Sequence, residues 1–304
     1  MGEQAAGATS TFSSTSTRTV LEQAATAIGL DPNGAELLRL GENAIYRLRD
    51  APVVVRIARG PEMWQDAAKE VNVAKWLAAS GIPAARLWPV EQPVDVDGHP
   101  VTYWRFIDGR RGGPGDVHAL GKLLRTVHDL PRPTNFKLPA QLPLLRVRPR
   151  IERAQVPEDD RRFLLDLLDK LTVATGRLKF PLPETVNHGD AHVQNLMVTR
   201  SGEVLLIDFE GFCWGHPEWD LATTATEYMT AGFWTITQYT DFVAAYGYDI
   251  TEWADFSIIR QAREISMTTW LMQNVSESPN LHAEYKKRMA TIREGRPTER
   301  WSAH

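Results

Sequence analysis

The sequence predicts an α+β fold with two lobes: a small N-terminal lobe built from a β-sheet and one helix, and a larger, mainly helical C-terminal lobe. Three observations lead to this prediction. Short segments in which apolar and polar residues alternate fill the first third of the 304-residue chain. A glycine-rich stretch interrupts this pattern at residues 108–116. Beyond it, apolar residues recur mainly at helical spacing, apart from one predicted hairpin.

Residues 1–18 are predicted to be a disordered tail, because most of them are small or carry a hydroxyl group. The tail lacks the basic start and apolar core of a signal peptide. No later stretch approaches the ~20 apolar residues that cross a bilayer. The single cysteine, Cys213, excludes an internal disulfide and reads as a small buried residue. These features predict a cytoplasmic protein without a membrane partner.

The predicted sheet begins with residues 35–40 and 43–49, where apolar and polar residues alternate as they do in half-buried strands. The segment Asp50-Ala51-Pro52 supplies a turn, and the apolar residues 53–58 form the third predicted strand. The spacing therefore predicts three consecutive strands joined by short turns.

One helix is predicted to follow these strands. Gly60 and Pro61 open it, since proline suits the first helical position, and Gly81 ends it as a C-terminal cap. Residues 86–90 and 101–107 are predicted to complete the sheet.

The boundary between the predicted lobes lies at the flexible, glycine-rich residues 108–116. The first lobe then comprises residues 19–107, and the second comprises residues 108–304. A cleft between two lobes is a common ligand site. The helices predicted for the second lobe are 117–130, 159–174, 217–231, 235–246, 251–274 and 280–294.

Residues 186–212 carry the strongest chemical signal, because they place Asp190, Asn195 and Asp208 around one predicted hairpin. A carboxylate on a loop is suited to accept the proton of an attacking hydroxyl. An amide oxygen five residues later and a second carboxylate across the hairpin suit magnesium, which prefers oxygen ligands. Phosphoryl transfer needs mainly such positioning and charge neutralisation.

These residues resemble the aminoglycoside phosphotransferase family, which shares its fold with the choline kinases and protein kinases. The resemblance is carried by His188-Gly189-Asp190 with Asn195, and by Ile207-Asp208-Phe209-Glu210. It implies a protein-kinase-like fold with ATP and Mg²⁺ between the lobes. It further implies that Asp190 is the catalytic base and that Asn195 and Asp208 bind the metal.

The same resemblance assigns two supporting residues. Asp220, in the segment from Gly215 to Leu221, is similar to the family residue that supports the catalytic loop, and we expect a structural role for it. We expect His188 to set the loop by packing and hydrogen bonding. His192, two residues after the base, has two open interpretations, an approach to a phosphate and a structural role.

The nucleotide-binding lobe is expected to be residues 19–107, with the phosphates held by residues from three segments. Gly41 and Asn43 lie in a segment similar to the family's opening hairpin. Arg56 occupies the place where many kinases carry a lysine, and Glu70 on the following helix is its expected ion-pair partner. Backbone groups of three consecutive residues are expected to bind the adenine edge: Arg105, Phe106 and Ile107.

The acceptor pocket is expected in the second lobe, and its charge is the only guide to the substrate. Residues 208–264 contain ten acidic and only two basic residues, Arg260 and Arg263. One interpretation is a negative pocket that attracts a cationic acceptor. The other is an ordinary solvated surface. The acidic candidates for acceptor binding are Glu227, Asp255 and Glu264.

The predicted function is ATP-dependent transfer of a phosphoryl group to a hydroxyl of a small, polar or cationic molecule, such as an aminoglycoside, an amino sugar or an aminoalcohol. A net charge of only −4 gives no reason to expect nucleic acid as a partner. One alternative is a protein kinase, although the lysine expected two residues after the base is missing. Another is a nucleotide-binding regulator without transfer activity. The oligomeric state is not predicted.

Overall fold

The computed structural model describes residues 12–302. The chain divides into two compact units. The first ends at Arg110 and also includes Met197–Glu210, and the second comprises Arg111–Leu196 and the chain from Gly211 onward. The sequence predicted a single break near residue 108, so the assignment of 197–210 to the first unit is new information from the structure.

The first unit contains a five-stranded antiparallel sheet. Its strands are β1 Glu36–Leu40, β2 Asn43–Arg47, β3 Val53–Ala58, β4 Val94–Val96 and β5 His99–Arg105. Their order across the sheet is β1-β2-β3-β5-β4. The first three match the alternating segments of the sequence. The prediction of a strand at residues 86–90 is wrong, because only one isolated bridge, from Leu87 to Trp104, forms there. The edge position belongs instead to β4, which forms a tight hairpin with β5.

Two helices pack in this unit, where the sequence predicted one. The additional helix, α1, spans Ser14–Ala27 and begins with a capping box between Ser13 and Ser16. Its apolar face, which includes Leu21 and Ala24, is buried against the sheet. The disordered tail predicted for residues 1–18 is therefore corrected from residue 14 onward, and residues 1–11 lie outside the described part of the chain. The serines give this segment the composition of a disordered tail. Their role as helix caps depends on the helix that follows them.

The second helix, α2 (Trp64–Ala79), follows the sequence prediction closely. A short 3₁₀ turn at Pro61–Met63 opens it, with Gly60 in the capping position. The chain leaves the helix through Gly81, whose φ of 72° is left-handed and favours glycine. One face of α2 buries Val71, Ala74 and Glu70, so a carboxylate lies among its apolar residues.

The glycine-rich stretch is more ordered than the sequence suggested. Residues Gly109–Arg111 form strand β6, which joins a three-stranded sheet with β8 (Leu196–Thr199) and β9 (Val204–Leu206). A Cβ atom on Gly109 would lie 2.1 Å from the carbonyl oxygen of Val198. Glycine is needed there for close backbone approach, not for flexibility.

The second unit is mainly helical, as predicted. Its helices are α3 Val117–His128, α4 Val147–Arg153, α5 Glu158–Thr175, α6 Glu218–Thr226, α7 Ile236–Tyr246, α8 Phe256–Met272 and α9 Pro279–Glu294. Apolar residues of α4, α5, α8 and α9 share one core, in which Ile151 and Ile265 are fully buried. A two-stranded sheet of β7 (Thr185–Asn187) and β10 (Cys213–Gly215) flanks the catalytic motif. None of the helices within residues 12–302 is long and apolar enough to cross a membrane.

Candidate active site

The loop that follows β7 carries the predicted catalytic base. Asp190 has a side chain that is 55% exposed, and its Oδ2 lies 3.4 Å from Nε2 of His192. Partial burial favours the neutral acid, but the hydrogen bond and charge of His192, with the charges of Arg263 and His188, hold the pKa of Asp190 well below its ordinary value. The carboxylate is therefore ionised and accessible, as a base requires.

Asn195 is positioned by the same loop. Its buried side chain donates from Nδ2 to the main-chain oxygen of Asp190 at 2.8 Å and to Oδ2 of Asp190 at 3.4 Å. Because the amide N–H groups face Asp190, the amide oxygen is the atom that suits a metal ion. The structure thus brings the predicted base and one predicted metal ligand into direct contact.

Asp220, for which the sequence predicted a supporting role, is hydrogen-bonded to the main chain of the same loop. Its fully buried carboxylate accepts from the main-chain N–H of His188 at 2.7 Å and of Gly189 at 2.9 Å. Nε2 of His128 lies 3.1 Å from Oδ2 of Asp220. Burial opposes ionisation, but the bond and charge of His128, the charge of His188 and the Gly189 N–H lower the pKa of Asp220.

Gly189 has the conformation that lets its N–H reach Asp220. Its φ is 83°, and a Cβ atom would lie 2.0 Å from the carbonyl oxygen of Gly211. Only glycine fits this position. His188 is fully buried beside the ring of Phe212, and its Nδ1 accepts weakly from the Asp190 N–H at 3.3 Å. These contacts agree with a loop-setting role for His188.

Asp208, the other predicted metal ligand, belongs to the first unit. It follows β9 with an exposed side chain and a φ of 65°, an uncommon backbone conformation for a residue other than glycine. Left-handed non-glycine residues concentrate at functional sites. Within residues 12–302, no group of three or more His, Cys, Asp and Glu side chains is placed to hold a metal by itself. Carboxylate oxygens such as those of Asp208 suit Mg²⁺, which usually keeps waters and substrate phosphates as further ligands.

The first unit also contains the predicted Arg56–Glu70 ion pair. The guanidinium of Arg56 bonds directly to the buried carboxylate of Glu70, and its Nη2 lies 3.5 Å from Glu210. With its amide oxygen facing the arginine, Asn43 accepts from Nη2 at 2.8 Å. Arg56 therefore connects the opening hairpin, α2 and the segment after Asp208 within one cluster.

Glu70 has an unusual electrostatic environment. Burial, together with the negative charges of Glu210 and Asp208, raises the pKa of Glu70 to about 7, against the opposing charges of Arg56 and Lys69. Lys69 also donates to the main-chain oxygen of Glu210 at 2.6 Å. Neither Lys69, which precedes Glu70, nor Glu210, two residues after Asp208, was predicted to take part in this cluster.

Several predicted nucleotide-binding groups are partly engaged by the protein itself. The Gly41 N–H bonds to the Asn43 carbonyl, and the Gly41 carbonyl accepts from Arg59. The N–H groups of Arg105 and Phe106 donate to the carbonyls of Arg86 and Pro52. Any adenine contact from these two residues therefore has to use their carbonyl groups, while Ile107 follows at the end of the strand.

The three acidic candidates for acceptor binding lie in different environments. Glu227 is half-buried, accepts from Nε1 of Trp234 at 2.9 Å, and interacts electrostatically with His192. Glu264 is buried and bonded to both Arg260 and Thr230, so its carboxylate is already occupied by the protein. Asp255 is half-buried at the start of α8, without a side-chain capping bond. Only Glu227 is coupled electrostatically to the catalytic loop.

Comparisons with known proteins bear on the family and the fold. The model of the "Phosphotransferase enzyme family" matches residues 36–256. A search of curated proteins found no match. A solved structure of the amicoumacin kinase hAmiN, in complex with AMP-PNP, Ca²⁺ and Ami, is similar with a TM-score of 0.73 and 17% identity, covering 95% of this chain and 97% of that one.

Two further solved structures show the same fold. A microcompartment-associated aminopropanol kinase has a TM-score of 0.70 and 18% identity, covering 90% of this chain and 94% of that one. A choline/ethanolamine kinase family protein from Mesorhizobium loti has a TM-score of 0.61 and 18% identity, covering 92% and 94%. These structures confirm the predicted α+β, protein-kinase-like fold, and the family match confirms the predicted enzyme class of phosphotransferase.

Proposed function

The chain belongs to the phosphotransferase enzyme family, and from that premise we propose that it transfers the γ-phosphoryl group of ATP to a hydroxyl of a small polar or cationic molecule. The observation that carries the proposal is the catalytic loop. There an ionised, accessible Asp190 is held by Asn195, and Asp220 fixes the loop through two main-chain N–H groups.

In the proposed reaction, Asp190 orients the acceptor hydroxyl and accepts its proton. The acceptor oxygen then forms a bond to the γ-phosphorus as the bond to the bridging oxygen breaks and ADP leaves. Arg56, held by Glu70, binds the nucleotide phosphates with its planar guanidinium. Backbone and side-chain groups of Gly41, Asn43 and residues 105–107 remain proposed nucleotide contacts.

Asn195 and Asp208 would hold a divalent metal ion, proposed to be Mg²⁺, through one amide oxygen and one carboxylate. When bound, such an ion neutralises charge on the β- and γ-phosphates. A crystal structure with an ATP analogue and Mg²⁺ tests this assignment directly. A metal bound by neither Asn195 nor Asp208 in that structure would contradict it.

The central experiment replaces the base. Asp190→Asn should lower turnover by about 10²- to 10⁴-fold, the usual contribution of a positioned general base, while ATP affinity is largely retained. ADP formation is measured with a panel of aminoglycosides and aminoalcohols, and the phosphorylated product is identified by mass spectrometry. Asp129→Asn is the matched control, since Asp129 forms an exposed ion pair with Arg125.

The alternatives give different results in the same assay. Phosphorylation of generic protein substrates but of no small molecule would favour a protein kinase. ATP binding without ATP consumption, whichever acceptor is added, would favour a nucleotide-binding regulator. Near-normal turnover of Asp190→Asn would remove Asp190 from the role of base. The cytoplasmic location and the absence of a nucleic-acid partner stay predictions from the sequence.

A further inference from the structure

Arg263 is one of the two arginines in the acidic segment 208–264, and the proposed reaction gives it no role. It lies in α8, and its buried Nε has no hydrogen-bond partner among residues 12–302. A buried donor without a partner is costly, so such a group calls for an explanation such as an absent ligand. The only other basic residue between positions 208 and 264, Arg260, is committed to Glu264 and Thr230.

Arg263 interacts electrostatically with Glu227, and a hydrogen bond joins the two elements that carry these residues. The residues Glu227–Ala231 form a π-helical turn at the end of α6, and such turns are frequent at functional sites. Thr230 in this turn donates to Glu264 at 2.6 Å, and Glu264 directly follows Arg263 in α8. The hydrogen bond between Thr230 and Glu264 therefore joins the π-helical turn to α8 at the residue after Arg263.

The charge of Arg263 acts on the catalytic loop as well as on Glu227. It favours the ionised form of Asp190. Burial raises the pKa of Glu227, and the charge of His192, the hydrogen bond from Trp234 and the charge of Arg263 oppose that rise. Yet Arg263 and Glu227 do not satisfy each other, since Glu227 bonds to Trp234 while Nε of Arg263 is unpartnered in the described chain. A guanidinium and a carboxylate are thus available together in the neighbourhood of the base.

We propose that Arg263 and Glu227 recognise a zwitterionic acceptor, with Arg263 binding a carboxylate and Glu227 binding an ammonium group of the molecule whose hydroxyl meets Asp190. The substrate class is a hydroxylated amino acid or a larger compound that contains this unit. This inference rests on the proposed function and narrows its acceptor. It adds an anionic group to the cationic acceptor that the acidic composition suggested.

A role for Arg263 on the transferred phosphoryl group is the competing explanation. The arrangement favours the acceptor, because Glu227 beside Arg263 would repel a multiply charged phosphate. A zwitterion instead places one charge opposite each side chain. Arg56 in the first unit already provides a guanidinium for the phosphates.

The test compares three acceptors in which the same number of carbons separates the hydroxyl from each charged group that is retained. L-Homoserine carries both charged groups, 3-amino-1-propanol lacks the carboxylate, and 4-hydroxybutanoate lacks the ammonium. For the wild-type enzyme we expect kcat/KM for homoserine to exceed that for either analogue by about tenfold or more, the range of a charged hydrogen bond. Equal values for all three, or a preference for 3-amino-1-propanol, would overturn the proposal.

Variants of the arginine separate its two possible roles. Arg263→Met should raise KM for homoserine by about tenfold or more relative to its effect on KM for 3-amino-1-propanol, while Arg263→Lys should restore part of the loss. Glu227→Gln should weaken homoserine and 3-amino-1-propanol but not 4-hydroxybutanoate. A fall in kcat of similar size with every acceptor would assign Arg263 to the phosphoryl group instead.

Stability measurements exclude a merely structural role. Arg263→Met removes an unpartnered buried donor, so its melting temperature should not fall. Arg260→Met, one turn earlier in α8, leaves Glu264 buried without its cation and should lower the melting temperature without changing the homoserine preference. A lower melting temperature for Arg263→Met, with acceptor preference intact, would overturn the proposal.

Binding without turnover distinguishes failure of this inference from failure of the proposed function. Calorimetric titration with homoserine, in the absence of nucleotide, should show binding that Arg263→Met weakens. If that binding is found but no acceptor yields ADP, the transfer reaction is wrong and the zwitterion site stands. If transfer occurs but homoserine binding is unaffected by Arg263→Met, the site is wrong and the reaction stands.

Discussion

Two buried carboxylates, Glu70 in the first unit and Asp220 in the second, have pKa values that are shifted in opposite directions, although burial opposes ionisation of both. The pKa of Glu70 is raised to about 7, whereas the pKa of Asp220 is lowered. Asp220 receives two main-chain N–H bonds and a histidine. Glu70 shares Arg56 with Glu210, and both Glu210 and Asp208 repel its charge. Hydrogen-bond donors and neighbouring charges, not burial alone, decide which carboxylate stays ionised.

The difference suits the two proposed tasks. A permanently ionised Asp220 provides a fixed anchor for the loop that carries the base. A Glu70 that is close to neutrality holds Arg56 less exclusively, so a nucleotide phosphate competes for the guanidinium at a lower cost. Three experiments test this difference between Glu70 and Asp220.

The largest effect is expected from Asp220→Ala. The change leaves His128 and the N–H groups of His188 and Gly189 without their acceptor, and removing one partner of a buried charged group costs about 3–5 kcal/mol. Urea unfolding should show this loss in the free energy of unfolding, with turnover reduced in parallel. A loss below about 1 kcal/mol, the range of an exposed ion pair, would contradict the anchoring role.

A second experiment tests the donor side of the Asp220 site. Gly189→Ala forces a left-handed residue to carry a Cβ atom against the Gly211 carbonyl, so both backbone strain and a clash contribute, and we expect about 2–4 kcal/mol of destabilisation. Gly202→Ala is the matched control, since Gly202 has a φ of 87° and no atom within 4 Å of the added carbon. It should cost only the strain, about 1–2 kcal/mol. Equal losses in the two variants would show that the contact with Gly211 is not limiting.

The smallest effect concerns Glu70 and pH. Because the pKa of Glu70 in the folded protein is about 7, above its ordinary 4.5, the folded state binds more protons than the unfolded state between these values. Stability from Glu70 is therefore full below pH 4.5 and is lost as pH rises through 7. Relative to Glu70→Gln, the wild-type free energy of unfolding should fall by about 1–3 kcal/mol over this interval.

This pH experiment has an opposite counterpart in Asp220. The lowered pKa of Asp220 means that its contribution is present above its ordinary value of 3.8 and is lost as pH falls below it. Denaturation curves of wild type and Glu70→Gln, measured from pH 4 to pH 8, isolate the Glu70 term. Parallel curves across this range would show that folding leaves the pKa of Glu70 unchanged and would remove the contrast between the two carboxylates.

The sequence by itself determined the features that depend on short spacings. The segment from His188 to Asn195 predicted that Asp190 and Asn195 lie close together, because five residues in a tight loop leave few places for the two side chains, and the structure contains this contact. Alternation and capping residues located β1, β2, β3 and α2, since strand and helix periods are local properties. The family resemblance led to the prediction that Arg56 and Glu70 form an ion pair, and the structure contains this pair.

Only the tertiary structure decided the rest. His128 lies 92 residues before Asp220, and no local pattern connects them. Glu264 and Glu227 are equivalent candidates in the sequence. In the folded chain, Glu264 accepts a hydrogen bond from Arg260, whereas Glu227 interacts electrostatically with His192 of the loop after β7. In the sequence, Arg263 is only one of two basic residues in an acidic segment. Its buried Nε, which has no hydrogen-bond partner among residues 12–302, is a feature of the folded chain. Desolvation and pairing arise from residues distant along the chain, so they cannot be read from spacing or composition.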